Sequence, residues 1–170
     1  MEIYKGTATF SGIAIGKILY YSRGEYQIRQ CLVSNIKKEI SDFQEARLQA
    51  VHKLHELYEA SRLLNEQEAR VFLRQIKLLE SESYQNAIES SIAHEKVNAA
   101  YAVMINRDEL VETFRNLEEP VIRRRINDMQ EISNRLIQIL GGAAIRINLG
   151  DEPVILVAEA LSPTEIMEMD

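Results

Sequence analysis

Between Asn35 and Glu119 the chain contains neither glycine nor proline. These two residues break helices most readily, and through the same stretch apolar residues recur three and four positions apart. Ile36, Ile40, Phe43, Ala50, Val51, Leu54, Leu57 and Tyr58 form the first such stripe, the signature of an amphipathic helix. Helices in this region must therefore end through polar caps and local bends. Ser34 is the expected N-cap of a first helix running to Leu64, roughly 45 Å long at about 1.5 Å per residue. Asn65 reads as a cap or kink before a second helix with Ala69, Phe72, Leu73, Ile76, Leu78 and Leu79. Ser81 and Ser83 mark another break, followed by a short helix carrying Ile88 and Ile92. Asn98 would cap a helix containing Tyr101, Met104, Ile105, Leu110 and Phe114. Pro120 suits the first turn of a last helix, where its missing N–H is not needed. Ile122, Ile126, Met129, Ile132, Leu136 and Leu140 line one face of that helix until Gly141-Gly142 stop it. About four long helices with short connections predict an antiparallel bundle.

The two ends of the chain have a different character. Ile13, Ile15, Ile18, Leu19, Tyr20 and Tyr21 form a β-branched and aromatic run. Gly16 inside it points to a bulge or a close backbone approach, and Arg23-Gly24-Glu25 reads as a turn. Pro153 to Ala158 is a continuous apolar run of the kind that forms a buried strand. Ser162-Pro163-Thr164-Glu165 is a capping box with proline at the first helical position. Neither terminal segment can bury its faces alone, so the two are expected to pair. Residues 1–32 and 143–170 would then form one α/β part, and residues 33–142 a helical domain inserted into it. The predicted fold class is mainly α: an antiparallel helical bundle within a truncated α/β domain.

Composition narrows the function classes. Twenty Lys and Arg against 26 Asp and Glu leave a net charge of −6, a poor match to nucleic acid, whose phosphates call for a basic face. No apolar run approaches the roughly 20 residues that span a bilayer. The N-terminal residues lack the pattern of a signal peptide, and Cys31 is the one cysteine. A reducing, cytoplasmic setting is expected.

Few residues suggest self-contained catalysis. His52 and His55 stand three apart on the first helix, the spacing of a helical metal pair, but no third ligand is forced by spacing. His94 falls near a helix C-terminus, where a cation is favoured. Cys31 has neither a C-x-x-C partner nor a histidine relay near it in sequence. Gly12-Ile13-Ala14-Ile15-Gly16 lacks the spacing of a phosphate-binding loop. Arg123-Arg124-Arg125 place three cations in the first turns of the last helix, with Asp128 in range of a local ion pair for Arg124 or Arg125. The second helix, Phe72 to Glu80, carries more apolar side chains than one bundle face requires. Leu73 and Tyr84 fall off the stripe of Phe72, Ile76 and Leu79, as in a helix-mediated protein interface or, equally, a wider bundle core.

Several segments resemble enzyme I of the bacterial sugar phosphotransferase system. Gly12-Ile13-Ala14-Ile15-Gly16-Lys17 is similar to the family's opening glycine segment. Glu66 to Glu80 resembles its E-A-x-I-F-x-x-H-x-x-L-L-E-D helix, and Arg124 to Ile132 its E-R-x-x-D-[VI]-x-D-[IV] helix. Val154 to Glu165 resembles V-[IL]-[IV]-A-x-D-L-[ST]-P-S-[DE]. These matches occur in family order along essentially the whole chain. The resemblance implies a split, phosphohistidine-type α/β domain interrupted by a helical domain that docks the phosphocarrier protein HPr. In the family, phosphoenolpyruvate phosphorylates a histidine of the α/β domain, which passes the phosphoryl group to HPr.

Carried onto this sequence, the docking face falls on Glu66, Gln67, Leu73, Gln75, Lys77, Leu78, Glu82, Ser83, Tyr84, Phe114 and Arg125. Gln75 replaces the family's histidine, Lys77 an apolar residue and Leu73 an acidic one, so less negative field is offered to a basic partner. The phosphorylated histidine belongs to a G-G-x-x-S-H-like segment that does not occur in these residues, so no catalytic, cofactor-binding or metal residue is expected here. Mg2+ and dimerisation are expected of the parent enzyme through a C-terminal domain. Neither nucleic acid nor membrane is an expected partner. A stand-alone helical interaction or regulatory module, including a nitrogen-related paralogue, is the alternative.

Overall fold

The computed structural model describes residues 12–21, 28–63, 65–114, 119–141, 153–158, 161 and 163–167. The chain divides into two compact units, Met1–Glu25 with Arg146–Asp170, and Tyr26–Ile145.

Among its described residues the second unit holds five helices: α1 (Ile36–Arg62), α2 (Glu66–Leu79), α3 (Glu82–Glu95), α4 (Ala99–Phe114) and α5 (Pro120–Gly141). The first helix begins one residue later than a Ser34 cap requires. Asn35 takes the N-cap position, its side chain accepting from Lys38 N at 3.1 Å. A neighbouring side chain of equal capping strength simply won the position. Asn65 starts α2 as expected, its Oδ1 accepting from Gln67 N at 3.0 Å. Asn98 does not cap α4 with its side chain. Its Oδ1 accepts from Cys31 N instead, at 3.0 Å, and Glu39 of α1 reaches across to take Ala99 N at 2.9 Å. With no glycine available, α3 ends on Lys96 in the left-handed conformation, φ 55°, a backbone state costly to any residue with a Cβ. Pro120 is the first residue of α5 and Gly141 its last. Gly142 and Leu64 lie outside the described residues.

The core is closed by Phe43, Ala50, Leu54 and Leu57 of α1, Ala69, Phe72, Ile76 and Leu79 of α2, Ile88 and Ile92 of α3, and Met129, Ile132 and Leu136 of α5. The helical period identified these residues. On α4 it picked the wrong side chains: Tyr101, Met104, Ile105, Leu110 and Phe114 are only half-buried, while Ala99, Ala102 and Val103 are buried. Small residues let a helix approach its neighbours closely, leaving the large ones toward the edge of the contact. The first turns of α1 and the last turn of α5 line one cleft of about 400 Å³, with Glu39, Asp42, Gln49, Ile139 and Leu140 in its wall.

In the other unit, β1 (Lys17–Tyr21) and β2 (Val154–Ala158) pair in parallel, Lys17 opposite Val154 and Tyr21 opposite Ala158. The expected pairing of the chain ends is thus a two-stranded sheet. Its first strand is shorter than the apolar run suggested: Ile13 and Ile15 precede it and are exposed. Gly16 is a close approach, since a Cβ there would lie 2.8 Å from the Pro153 carbonyl oxygen. β2 is half-buried rather than buried, with Val157 exposed; among the described residues β1 is its one partner strand. The short α6 (Pro163–Met167) follows, and Tyr21 Oη donates to Glu165 Oε1 at 2.9 Å. The Arg23-Gly24-Glu25 turn and Ser162 lie outside the described residues.

Candidate functional site

α2 and α5 pack together and carry most of the sequence-predicted docking residues. Both helices run away from the same end of the unit. α2 returns antiparallel to α1 after a short turn, and the last turn of α5 lies beside the first turns of α1. α2 and α5 are therefore parallel.

Polar bonds stitch this pair. Arg74 Nε donates to Asp128 Oδ2 at 2.9 Å and its Nη2 to Oδ1 at 3.4 Å. Asp128 is nearly buried, so its carboxylate pairs between helices and not locally with Arg124 or Arg125. One position on, Gln75 Nε2 donates to Glu131 Oε2 at 2.6 Å. From α3, Tyr84 Oη sits 3.5 Å from Ser133 Oγ, both residues buried. Burial pushes the Tyr84 phenol up to about 12, with the Ser133 hydrogen bond opposing it.

These bonds correct two of the predicted docking residues. Gln75 is 1% exposed and Tyr84 7%, so neither side chain is offered to a partner. A side-chain amide or phenol looks like surface in a sequence, but each is used here to hold helices together. The other residues remain accessible: Glu66, Gln67, Lys77, Glu82, Ser83 and Arg125 are exposed, and Leu73, Leu78 and Phe114 half-buried. Leu73 and Leu78 supply partly covered apolar surface between the charges, while Tyr84 belongs to the core. Sequence reasoning missed Asp128, Glu131 and Ser133 as inter-helix partners. A carboxylate or hydroxyl on the apolar stripe of α5 was the available signal.

His52 and His55 are exposed on α1, and His52 Nδ1 is 3.6 Å from Glu56 Oε1. Among the described residues no group of three His, Cys, Asp or Glu is placed to hold a metal. His94 lies in the last turn of α3, its Nδ1 2.9 Å from the Ser90 carbonyl oxygen. Cys31 is exposed. No helix among the described residues is long and apolar enough to cross a membrane.

Residues 5–125 match the family model described as PEP-utilising enzyme, N-terminal. The chain belongs to this family. The PEP-utilising enzyme N-terminal assignment agrees with whole-chain similarities. The phosphoenolpyruvate-protein phosphotransferase of Borreliella burgdorferi is 27% identical over 169 residues, covering 97% of this chain and 30% of that protein. That of Bacillus subtilis is 25% identical over 172 residues, covering 100% and 30%. The chain thus spans about 30% of the length of the curated relatives it matches. An NMR solution structure of Enzyme I has a TM-score of 0.76 at 22% identity, covering 92% of this chain and 64% of that one. A structure titled N-terminal domain of Enzyme 1 - Nitrogen has a TM-score of 0.69 at 21% identity, covering 94% and 66%. For this PEP-utilising enzyme N-terminal chain, those two likenesses establish the fold: a helical bundle inserted in an α/β part.

Proposed function

We propose that this chain is the N-terminal portion of a phosphoenolpyruvate–protein phosphotransferase, and that the α2–α5 face of its helical unit docks the phosphocarrier HPr. In this reading residues 33–142 are the docking domain and the two flanks belong to the phosphohistidine domain. The observation that carries it is the accessible face of Gln67, Leu73, Lys77 and Leu78 on α2, on a helix tied to α5 by the Arg74–Asp128 and Gln75–Glu131 bonds. Phosphoryl transfer is mostly positioning, with donor and acceptor held in line. A docking helix that cannot slide on its neighbour would hold a carrier at one distance and one angle. Half-buried leucines and the Arg125 guanidinium would supply the centre of the contact, and Gln67, Lys77 and Glu82 its polar rim.

The Mg2+ expected of the whole enzyme does not fit these residues, since no three candidate ligands converge among those described. Docking does not require it. The setting is taken to be cytoplasmic, as for a carrier-dependent transferase.

The test is a calorimetric titration of the chain with HPr from the same organism. Saturable binding is expected, and Arg125→Ala should weaken it by about 1–3 kcal/mol, the loss of one central charged contact. Absence of binding to the wild-type chain would remove the docking assignment and favour a stand-alone helical module. Unchanged affinity in Arg125→Ala would remove only that residue.

A further inference from the structure

Arg74 does not figure among the docking residues that the sequence implies, yet it stands among them. It comes seven residues after Gln67 and four before Leu78 on α2. At about 100° per residue, these three side chains leave the helix within about 40° of one another. The Arg74 side chain is 48% exposed and that of its partner Asp128 10%. The carboxylate is thus the inner member of the pair and the guanidinium the outer one. Asp128 accepts from Nε at 2.9 Å and from Nη2 at 3.4 Å, which fixes the guanidinium plane and the direction of its other N–H bonds. A guanidinium has five N–H donors. Two go to Asp128, and among the described residues no acceptor takes the other three.

The pair has two properties that a lone arginine lacks. Its charges cancel, so Arg74 does not repel a basic partner surface. Its orientation is also set before a partner arrives, so less side-chain entropy remains to be lost on binding. The acceptor that suits it follows from the charge. A second carboxylate would share one guanidinium with Asp128 and be repelled by it. An uncharged oxygen would not, and main-chain carbonyls supply such oxygens without changing the sign of a basic surface. We infer that Arg74 is a specificity-determining residue of the docking face: its free N–H groups donate to main-chain carbonyl oxygens of the carrier, and Asp128 is the positioning residue that aims them. The inference rests on the docking reading and adds to it a directional contact beside Leu78.

The test is a calorimetric titration of the full chain with HPr from the same organism, repeated in variants whose helix content is checked by circular dichroism. Arg74→Lys keeps the charge and loses the fork, and should weaken binding about tenfold. Arg74→Ala should weaken it at least as much. That sign is diagnostic: if Arg74 acted through charge alone, its removal would leave Asp128 unopposed and tighten the hold on a basic carrier. Asp128→Asn should weaken binding about threefold in the wild-type chain and leave it unchanged in Arg74→Ala, because Asp128 acts through Arg74. A residue that only supported the helices would lower affinity in both backgrounds. Should Asp128→Asn lose its helices, Asp128→Glu, which keeps the charge but moves the carboxylate, takes its place with the same two expectations. Wild-type affinity in Arg74→Lys, tighter binding in Arg74→Ala, or an Asp128→Asn loss that persists without Arg74 overturns the inference and leaves the docking reading in place. Failure of the wild-type chain to bind HPr overturns both.

Discussion

Phe43, Leu54, Phe72, Leu79, Ile88 and Leu136 of the helical unit are almost wholly shielded from water, whereas Ile18 and Tyr20 on β1 and Val157 on β2 are 57%, 77% and 40% exposed. Both groups are apolar residues, the first read from a helical stripe and the second from short apolar runs. The difference lies in what each element can pack against. Five helices can surround one another, so a 3.6-residue stripe on each finds a matching stripe. Two parallel strands can pair only edge to edge, and a parallel sheet is ordinarily covered on both faces. Stability in the helical unit therefore comes from side-chain burial. Among the described residues of the strand unit, the β1–β2 backbone ladder is the contact that the structure shows.

The sharpest way to break this contrast is to truncate an apolar side chain in each unit. Phe72→Ala should destabilise the helical unit by about 3–5 kcal/mol, since it removes a buried ring and leaves a cavity. Ile18→Ala should cost no more than about 0.5 kcal/mol, as for an exposed site. Urea unfolding of each variant measures both. Comparable losses would mean that Ile18 is covered in solution and that the exposure contrast is wrong.

A second test uses the buried phenol of α3. The Tyr84 phenol ionises at about 12 in the folded chain, against an ordinary value of 10.0. Above the ordinary value the unfolded chain loses this proton while the folded chain keeps it, so the folded state binds more protons and stability falls as pH rises. The contribution is intact below pH 10 and lost progressively between pH 10 and 12, roughly 2–3 kcal/mol in all. Thermal unfolding of the wild type should show this decline, and Tyr84→Phe should lack it. Parallel pH profiles for the two proteins would mean that Tyr84 is solvated and available to a partner after all.

These contrasts also explain what could be read from the sequence. Helix positions and most of the core followed from spacing alone, because burial of a stripe is a local property of each helix. Choices between adjacent capable residues did not follow. Ser34 and Asn35 are both good caps, and only the path of the chain into α1 decides between them. Asn98 looked like a cap for α4, but Glu39, sixty residues away in sequence, takes that N–H and frees Asn98 for Cys31. The docking face was legible as a helix with surplus apolar residues and as a family resemblance. Its division into outward and inward residues was not. Gln75 and Tyr84 turn inward because Glu131 and Ser133 await them on α5, and a polar residue on the α5 stripe does not say which distant side chain it will meet.

Gly16 offers the finest probe of the strand unit. A Cβ at this position would lie 2.8 Å from the Pro153 carbonyl oxygen and 3.4 Å from its carbon. Both are main-chain atoms, so no flexible side chain can move aside, and the residues that precede β1 and β2 must separate. Gly16→Ala should therefore cost about 1 kcal/mol, at the low end for an inserted methyl group. Because the strain falls on the strand ladder, the amides of β1 and β2 should exchange with solvent about fivefold faster, with those of α2 and α5 as the internal reference. A variant whose strand amides keep wild-type protection would show that the two backbones are not in contact there. It would also return the strand unit's stability to its side chains, making it a smaller version of the helical one.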